Sequence, residues 1–219
     1  MNRLDAYMPV SLNTILVNTN VGCDLYLKTC ENNEINYILY CAGTNAFTQD
    51  KISGLKKNKI ENLYIHKHDH KIYLKYLEPC LKKIINDENI NNIEKAQAVY
   101  NVAKNIMEDV FSDPRSGTHV WRAKNWVSNT VDIIIRDKMA SAIINVLSFD
   151  YYTYTHSVNV AVLGLLFSRY LNLKIEDINA FGLGLLLHDI GKIYVASDIL
   201  NKREKLTNEE FLKVKIHQI

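Results

Sequence analysis

Hydrophobic and polar positions change rhythm part-way along the chain. From Pro9 to about Ile65 they fall in short β-branched and aromatic runs of the kind strands favour, over Pro9–Val17, Asp24–Lys28 and Glu34–Cys41. The polar stretch Cys30-Glu31-Asn32-Asn33-Glu34 separates the second run from the third, which predicts a hairpin. Gly43-Thr44-Asn45 closes the third run. Thr48 has the chemistry of an N-cap for a short helix over Gln49–Lys57, and Asn62–His66 reads as a fourth strand. A helix then starts near Asp69, with Ile72, Tyr73, Tyr76 and Leu77 at helical spacing, and Pro79 is expected to interrupt or kink it.

Beyond the polar Asp87–Asn92 stretch the period is helical throughout. Ile93–Phe111 is amphipathic, Asp113-Pro114-Arg115-Ser116-Gly117 is a break, and Val120–Leu147 carries a long helical pattern through Trp126, Val131, Ile134, Ile135, Met139 and Ile143. A further helix follows Asp150 and runs to about Leu171. Another runs from about Glu176 to His188, with Gly191 as its C′ residue. Thr207-Asn208-Glu209-Glu210 is a capping box that opens a last helix. Ala180–Leu187 is apolar without interruption, which places its helix at the centre of a bundle. The expected architecture is an α+β N-terminal module over 1–88 and a helical domain over 89–219, with 89–147 as connecting helices.

Composition narrows the function classes. The 219 residues are 47% hydrophobic and 23% charged, as in ordinary globular proteins. A net charge of +2 excludes a strongly basic binder of nucleic acid polymers but leaves room for a local phosphate site. The longest apolar runs are too short to span a bilayer, and Arg3, Asp5 and Pro9 interrupt any signal-peptide pattern in Met1–Val10. Cys23, Cys30, Cys41 and Cys80 lack metal-site spacing and read as reduced thiols, so a cytoplasmic location is expected.

The chemistry concentrates at His188-Asp189-Ile190-Gly191-Lys192, at the end of the apolar run. An imidazole and a carboxylate buried there are costly unless paired, and a divalent ion such as Mn, Fe or Zn would pair them. Adjacent helical residues point about 100° apart, so the pair converges best where the helix unwinds, which Gly191 permits. Lys192 adds a positive charge suited to a phosphate oxygen. His156 and His217 fit around the pair: 31 residues separate His156 from His188 and 27 separate Asp189 from His217. Each gap holds one helix and a connection, so all four groups can meet in a bundle core.

The order His156 … His188-Asp189-Ile190-Gly191-Lys192 … His217 resembles the HD superfamily of metal-dependent phosphohydrolases. Asp198-Ile199-Leu200-Asn201-Lys202, then Lys205-Leu206-Thr207, Glu209-Glu210 and Lys215-Ile216-His217, is similar to its HD-GYP branch, which hydrolyses the second messenger cyclic di-GMP. The resemblance implies an all-α HD-domain bundle with His156, His188, Asp189 and His217 as metal ligands and Asp189 bridging two ions, Fe or Mn in the family. It implies Lys192 on the scissile phosphate and Lys202 as a second substrate contact. Some members hold a third ion through a Glu one turn before the first His. Tyr152 stands there, so two ions are expected. Ala196 replaces a usual Pro, and Arg203-Glu204 replaces Pro-Gly, in a substrate-side loop. The family continues with a paired His-His, the GYP loop and a final Asp ligand, past Ile219. The bundle is therefore expected to be incomplete, a truncated form with weak or no catalysis of its own.

Blander readings stand beside these. His66-Lys67-His68-Asp69-His70 reads as a solvated loop with Asp69 capping the next helix rather than as a metal site, and Tyr151, Tyr152 and Tyr154 as helix-packing aromatics rather than a stack for a guanine base. Lys192 could be a plain C-terminal helix cation, and Lys202 a solvated charge. The leading function is a cyclic di-GMP phosphodiesterase in second-messenger signalling. The alternatives are a catalytically dead HD-type binding or dimerisation module and another HD phosphohydrolase acting on nucleotides. A related nucleotide as ligand, and a homodimer or signalling partner, stay open. The N-terminal module is expected to be sensory or regulatory from its position ahead of an effector domain.

Overall fold

The computed structural model describes residues 6–31, 34–135, 139–148, 153–200, 202 and 204–215. Contacts divide the chain into two compact units, 1–102 and 103–219, the division falling inside a helix rather than in the polar stretch at 87–92.

The first unit is built on a four-stranded antiparallel sheet in the order β1-β4-β2-β3, with β1 Tyr7–Ser11, β2 Leu25–Glu31, β3 Glu34–Cys41 and β4 Asn62–His66. The predicted hairpin forms: β2 and β3 pair from Leu25↔Cys41 to Glu31↔Glu34, with an irregularity at Leu25/Tyr26. The first strand is shorter than its apolar run. After Ser11 the chain turns into a 3-10 segment, Leu12–Thr14, where the Ser11 hydroxyl accepts from the Asn13 N–H and the Thr14 hydroxyl donates to the Ser11 carbonyl. Hydroxyls that can satisfy local backbone groups outcompete the ladder there.

Period-2 alternation sorts the sheet's two faces. Val10, Leu63 and Ile65 are buried on one side. On the other, Tyr7, Tyr26, Tyr37, Tyr64 and His66 cover one another, Tyr7 stacking on Tyr37 with ring centroids 4.1 Å apart. Two helices complete the layer. The first, α1, spans Gln49–Lys57 as predicted, although the Thr48 side chain makes no cap bond. The second, α2, spans His70–Asn86 and runs through Pro79 without a break, correcting the expected interruption. Its buried residues Tyr73, Leu74 and Leu77 before the proline, and Leu81 and Ile84 after it, stay in helical phase. Burial of that continuous stripe offsets the lost backbone bond, about 3 kcal/mol. Asp69, expected as a cap, makes no side-chain cap bond.

The third helix, α3, spans Asn92–Ser112 and contributes its first part to this unit and its last part to the next. The second unit continues with α4 Gly117–Ile135, α5 Ala140–Val146, α6 Thr153–Tyr170, α7 Ile175–Leu187, α8 Ser197–Leu200 and α9 Asn208–Lys215. The pattern read as one helix over Val120–Leu147 is therefore two, α4 and α5. α4, α6 and α7 pack on one another. Gly182 sits at their meeting point: a Cβ there would lie 2.5 Å from Leu165 Cδ2 and 3.0 Å from Val127 Cγ1. The expectation that α7 is buried on all faces is corrected. Ile178, Gly182 and Leu186 form one buried stripe at i, i+4, i+8, while Phe181 is exposed, because α4 and α6 cover a single side. No described helix is long and apolar enough to cross a membrane.

Candidate metal centre

Two helix ends build the site. α6 begins at Thr153 and carries His156 in its first turn. α7 ends at Leu187, with His188 as C-cap still in the right-handed helical region, and Asp189 follows. The chain then tightens into a 3-10 segment, Ile190–Tyr194. Gly191 lies inside that segment and has no left-handed φ, so it is not the C′ residue expected. The unwinding needed to make adjacent side chains converge comes from the change of helix type at Asp189 itself (φ −98°, ψ 5°).

Asp189 is the centre. It is buried, and its Oδ2 lies 3.4 Å from His188 Nε2, 3.7 Å from His156 Nε2 and 2.6 Å from Lys192 Nζ. The two imidazoles meet edge to face with centroids 5.4 Å apart. One donor atom from each of His156, His188 and Asp189 falls within 4.8 Å of the others. His188 Nδ1 lies 2.7 Å from the Leu185 carbonyl oxygen. A carbonyl can only accept, so Nδ1 donates, which leaves Nε2 as the nitrogen on the Asp189 side that could bind a metal. Two imidazole nitrogens and one carboxylate oxygen are the donor types that first-row divalent ions take. Donors around such an ion are about 3–3.5 Å apart, given bonds of about 2.0–2.2 Å. The residues fit the metal that the sequence implied.

Lys192 joins the cluster, but through the carboxylate: its ammonium donates to Asp189 Oδ2 across i, i+3. Lys202 does not join it. Its ammonium donates to both oxygens of Glu210 at 2.7 Å, while Glu210 accepts from the Thr207 N–H and the Glu210 N–H donates to the Thr207 hydroxyl. The predicted capping box is formed, and it takes Lys202 as a third member. Those bonds, from Lys202 first and then the Thr207 N–H, hold the Glu210 carboxyl below its ordinary range. His217, Tyr151 and Tyr152 lie outside the described residues. His66 and His68 stack at 4.8 Å, and His68 meets Asp69 at 3.4 Å, without joining any metal-binding group among the described residues. The Leu185 carbonyl was not singled out from the sequence, although its position three residues before a helix-terminal His is the signal that would find it.

Comparison with known proteins supplies the family. Residues 153–219 match the model of the HD domain. This segment is similar to the HD domain. The matched range takes in His156, His188 and Asp189. A Pseudomonas aeruginosa protein described as a cyclic di-GMP phosphodiesterase is 35% identical over 128 residues, 57% of this chain and 31% of that protein. A Vibrio cholerae 3'3'-cGAMP-specific phosphodiesterase is 38% identical over 66 residues, 30% of this chain and 15% of that protein. The chain thus spans a third or less of the curated relatives it matches. A solved structure, an HDG"Y"P protein from Bdellovibrio bacteriovorus, superposes with a TM-score of 0.58 at 21% identity, covering 96% of this chain and 69% of that one. The resemblance to the HD-GYP proteins and the α+β-then-helical fold are thereby borne out.

Proposed function

We propose that the HD domain of this chain contributes the His156–His188–Asp189 metal centre of a phosphodiesterase that opens cyclic dinucleotides, cyclic di-GMP first among them. The observation that carries this reading is the convergence of those three donors on one point. The two phosphodiesterase relatives support the substrate class.

His156, His188 and Asp189 would hold a divalent ion, which when bound would supply Lewis-acid chemistry for water attack at phosphorus. The rest falls to the protein. His188 is held in its ligating tautomer by the Leu185 carbonyl. Asp189, buried at the helix junction, would offer the anionic oxygen and would be the ligand shared by two ions if a pair binds. Lys192 is held against the same carboxylate, which keeps its ammonium within reach of a phosphate seated beside the metal. Lys202 can meet substrate only by leaving Glu210, so we assign it a smaller part. His217 would be a fourth ligand, and Fe or Mn the ion. The first unit would be the regulatory or sensory part, and the setting second-messenger signalling in the cytoplasm.

Binding without turnover is the second reading. It is favoured by the Lys192 ammonium, which holds Asp189 Oδ2 at 2.6 Å, on the oxygen that a reactive metal would take. Titration of Mn-loaded 1–219 with cyclic di-GMP, followed by product analysis, tests both. The account expects binding that weakens at least tenfold in Lys192→Ala, with slow ring opening or none. Absence of cyclic dinucleotide binding by the metal-loaded chain would sink the substrate assignment.

A further inference from the structure

The first unit contains a cavity of ≈ 130 Å3 along the free edge of β1, between that strand and the faces of α2 and α3. Its floor is apolar, formed in part by Val10, Leu77 and Ala98, all buried. Thr14 and Tyr73 line it too, buried and with their hydroxyls bonded to each other, while Glu94, Gln97 and Asn101 from successive turns of α3 are the less buried polar groups. The lining includes no lysine or arginine. Glu94 is its one carboxylate, and every group bonded to it is neutral. Ser11 Oγ donates to Oε1 at 2.5 Å, Asn91 Nδ2 donates to Oε2 at 2.8 Å, and Asn13 Nδ2 reaches both oxygens at 3.3–3.4 Å. Asn91 in turn accepts from the Glu94 N–H, so the carboxylate is fixed in place at the start of α3. No described cation pairs with it.

These features define a ligand by exclusion and by fit. His70, the first residue of α2, is the one basic group in the lining, and Glu94 with no lysine or arginine beside it disfavours phosphates, carboxylates and nucleotides. An apolar floor of this volume takes a short hydrocarbon. A fixed carboxylate whose weakest partner is one stretched amide can exchange that amide for an ammonium, the stronger, charge-assisted donor. We propose that this cavity binds a small aliphatic ammonium compound, its cationic head on Glu94 and within reach of Asn101, its carbon chain over Val10, Leu77 and Ala98. The inference is independent of the HD reading and gives the N-terminal unit a ligand class of its own.

The test is an amide chemical-shift titration of the full 1–219 chain with n-butylammonium, with butyrate and 1-butanol as matched controls. The expected result is saturable shifts confined to residues lining the cavity, with a Kd on the order of millimolar for so small a ligand. Butyrate and 1-butanol should bind at least tenfold more weakly. Glu94→Gln keeps the shape of the cap and should weaken butylammonium at least tenfold. Asn101→Phe, which blocks the mouth without touching the cap, should do the same if Glu94→Gln proves poorly folded. Equal binding of all three probes, shifts outside the cavity, no saturable shifts at all, or butylammonium binding unchanged in both variants would overturn the proposal.

Discussion

Asp189 carries most of the site's physics: a carboxylate that is almost fully buried yet faces two imidazoles and an ammonium. The order of His156, His188 and Asp189 along the chain was enough to anticipate their meeting, because each lies at a helix end and the intervening segment has the length of one helix and a turn. The position of Lys192 was not legible. Its residue type and spacing fit a phosphate contact and a carboxylate contact equally, and only the local field chooses between them. Other single residues give sharper chemical expectations. Burial, then Asp69 and Asp24, pushes the Cys23 thiol up to about 12, and burial also raises Cys80, whereas Cys30 is exposed. Thiolate is the nucleophile, so iodoacetamide at pH 8 should label Cys30 rapidly and leave Cys23 and Cys80 unlabelled until the protein unfolds, as peptide mapping would read. For the same reason Cys23 favours the fold while it is protonated. Its contribution is intact below its ordinary value of 9.0 and is lost as pH climbs from there toward 12.

Elements were read best where one local rule acted alone. β4 over Asn62–His66 and α1 over Gln49–Lys57 fall where the pattern put them, and the Thr207–Glu210 capping box is formed bond for bond. Misreadings came where two rules competed. Hydroxyl-to-backbone bonds ended β1 at Ser11 although the apolar run continued, and a buried stripe carried α2 through Pro79. The exit from α7 used a 3-10 turn rather than a left-handed glycine. Gly43 shows what sequence could mark but not explain. It follows β3, and a Cβ there would lie 2.6–2.7 Å from the backbone N, Cα and C of Cys23, while its N–H donates to Asp24 Oδ1. Backbone cannot step aside as a side chain can, so Gly43→Ala is expected to cost about 2 kcal/mol or more. A midpoint in urea unchanged from wild type would refute that close approach.

At the scale of the molecule, two units carry separate chemistries. The first is a sheet with an aromatic outer face and a small acid-edged cavity. The second is helical, contains the segment that matches the HD domain, and gathers its donors at one helix junction. The balanced net charge of +2 fits this division, since neither site needs a broad basic surface. Family and fold were legible because an ordered set of metal-type residues is rare by chance. The number of ions was not, since it depends on His217 and on donors that spacing alone does not bring together. The most direct measurement is therefore the Mn content of chain 1–219 after equilibrium dialysis, wild type against Asp189→Asn, by elemental analysis. The account predicts about one ion or more retained per wild-type chain and at least tenfold less in the variant. Equal metal in the two, or none in either, would contradict it.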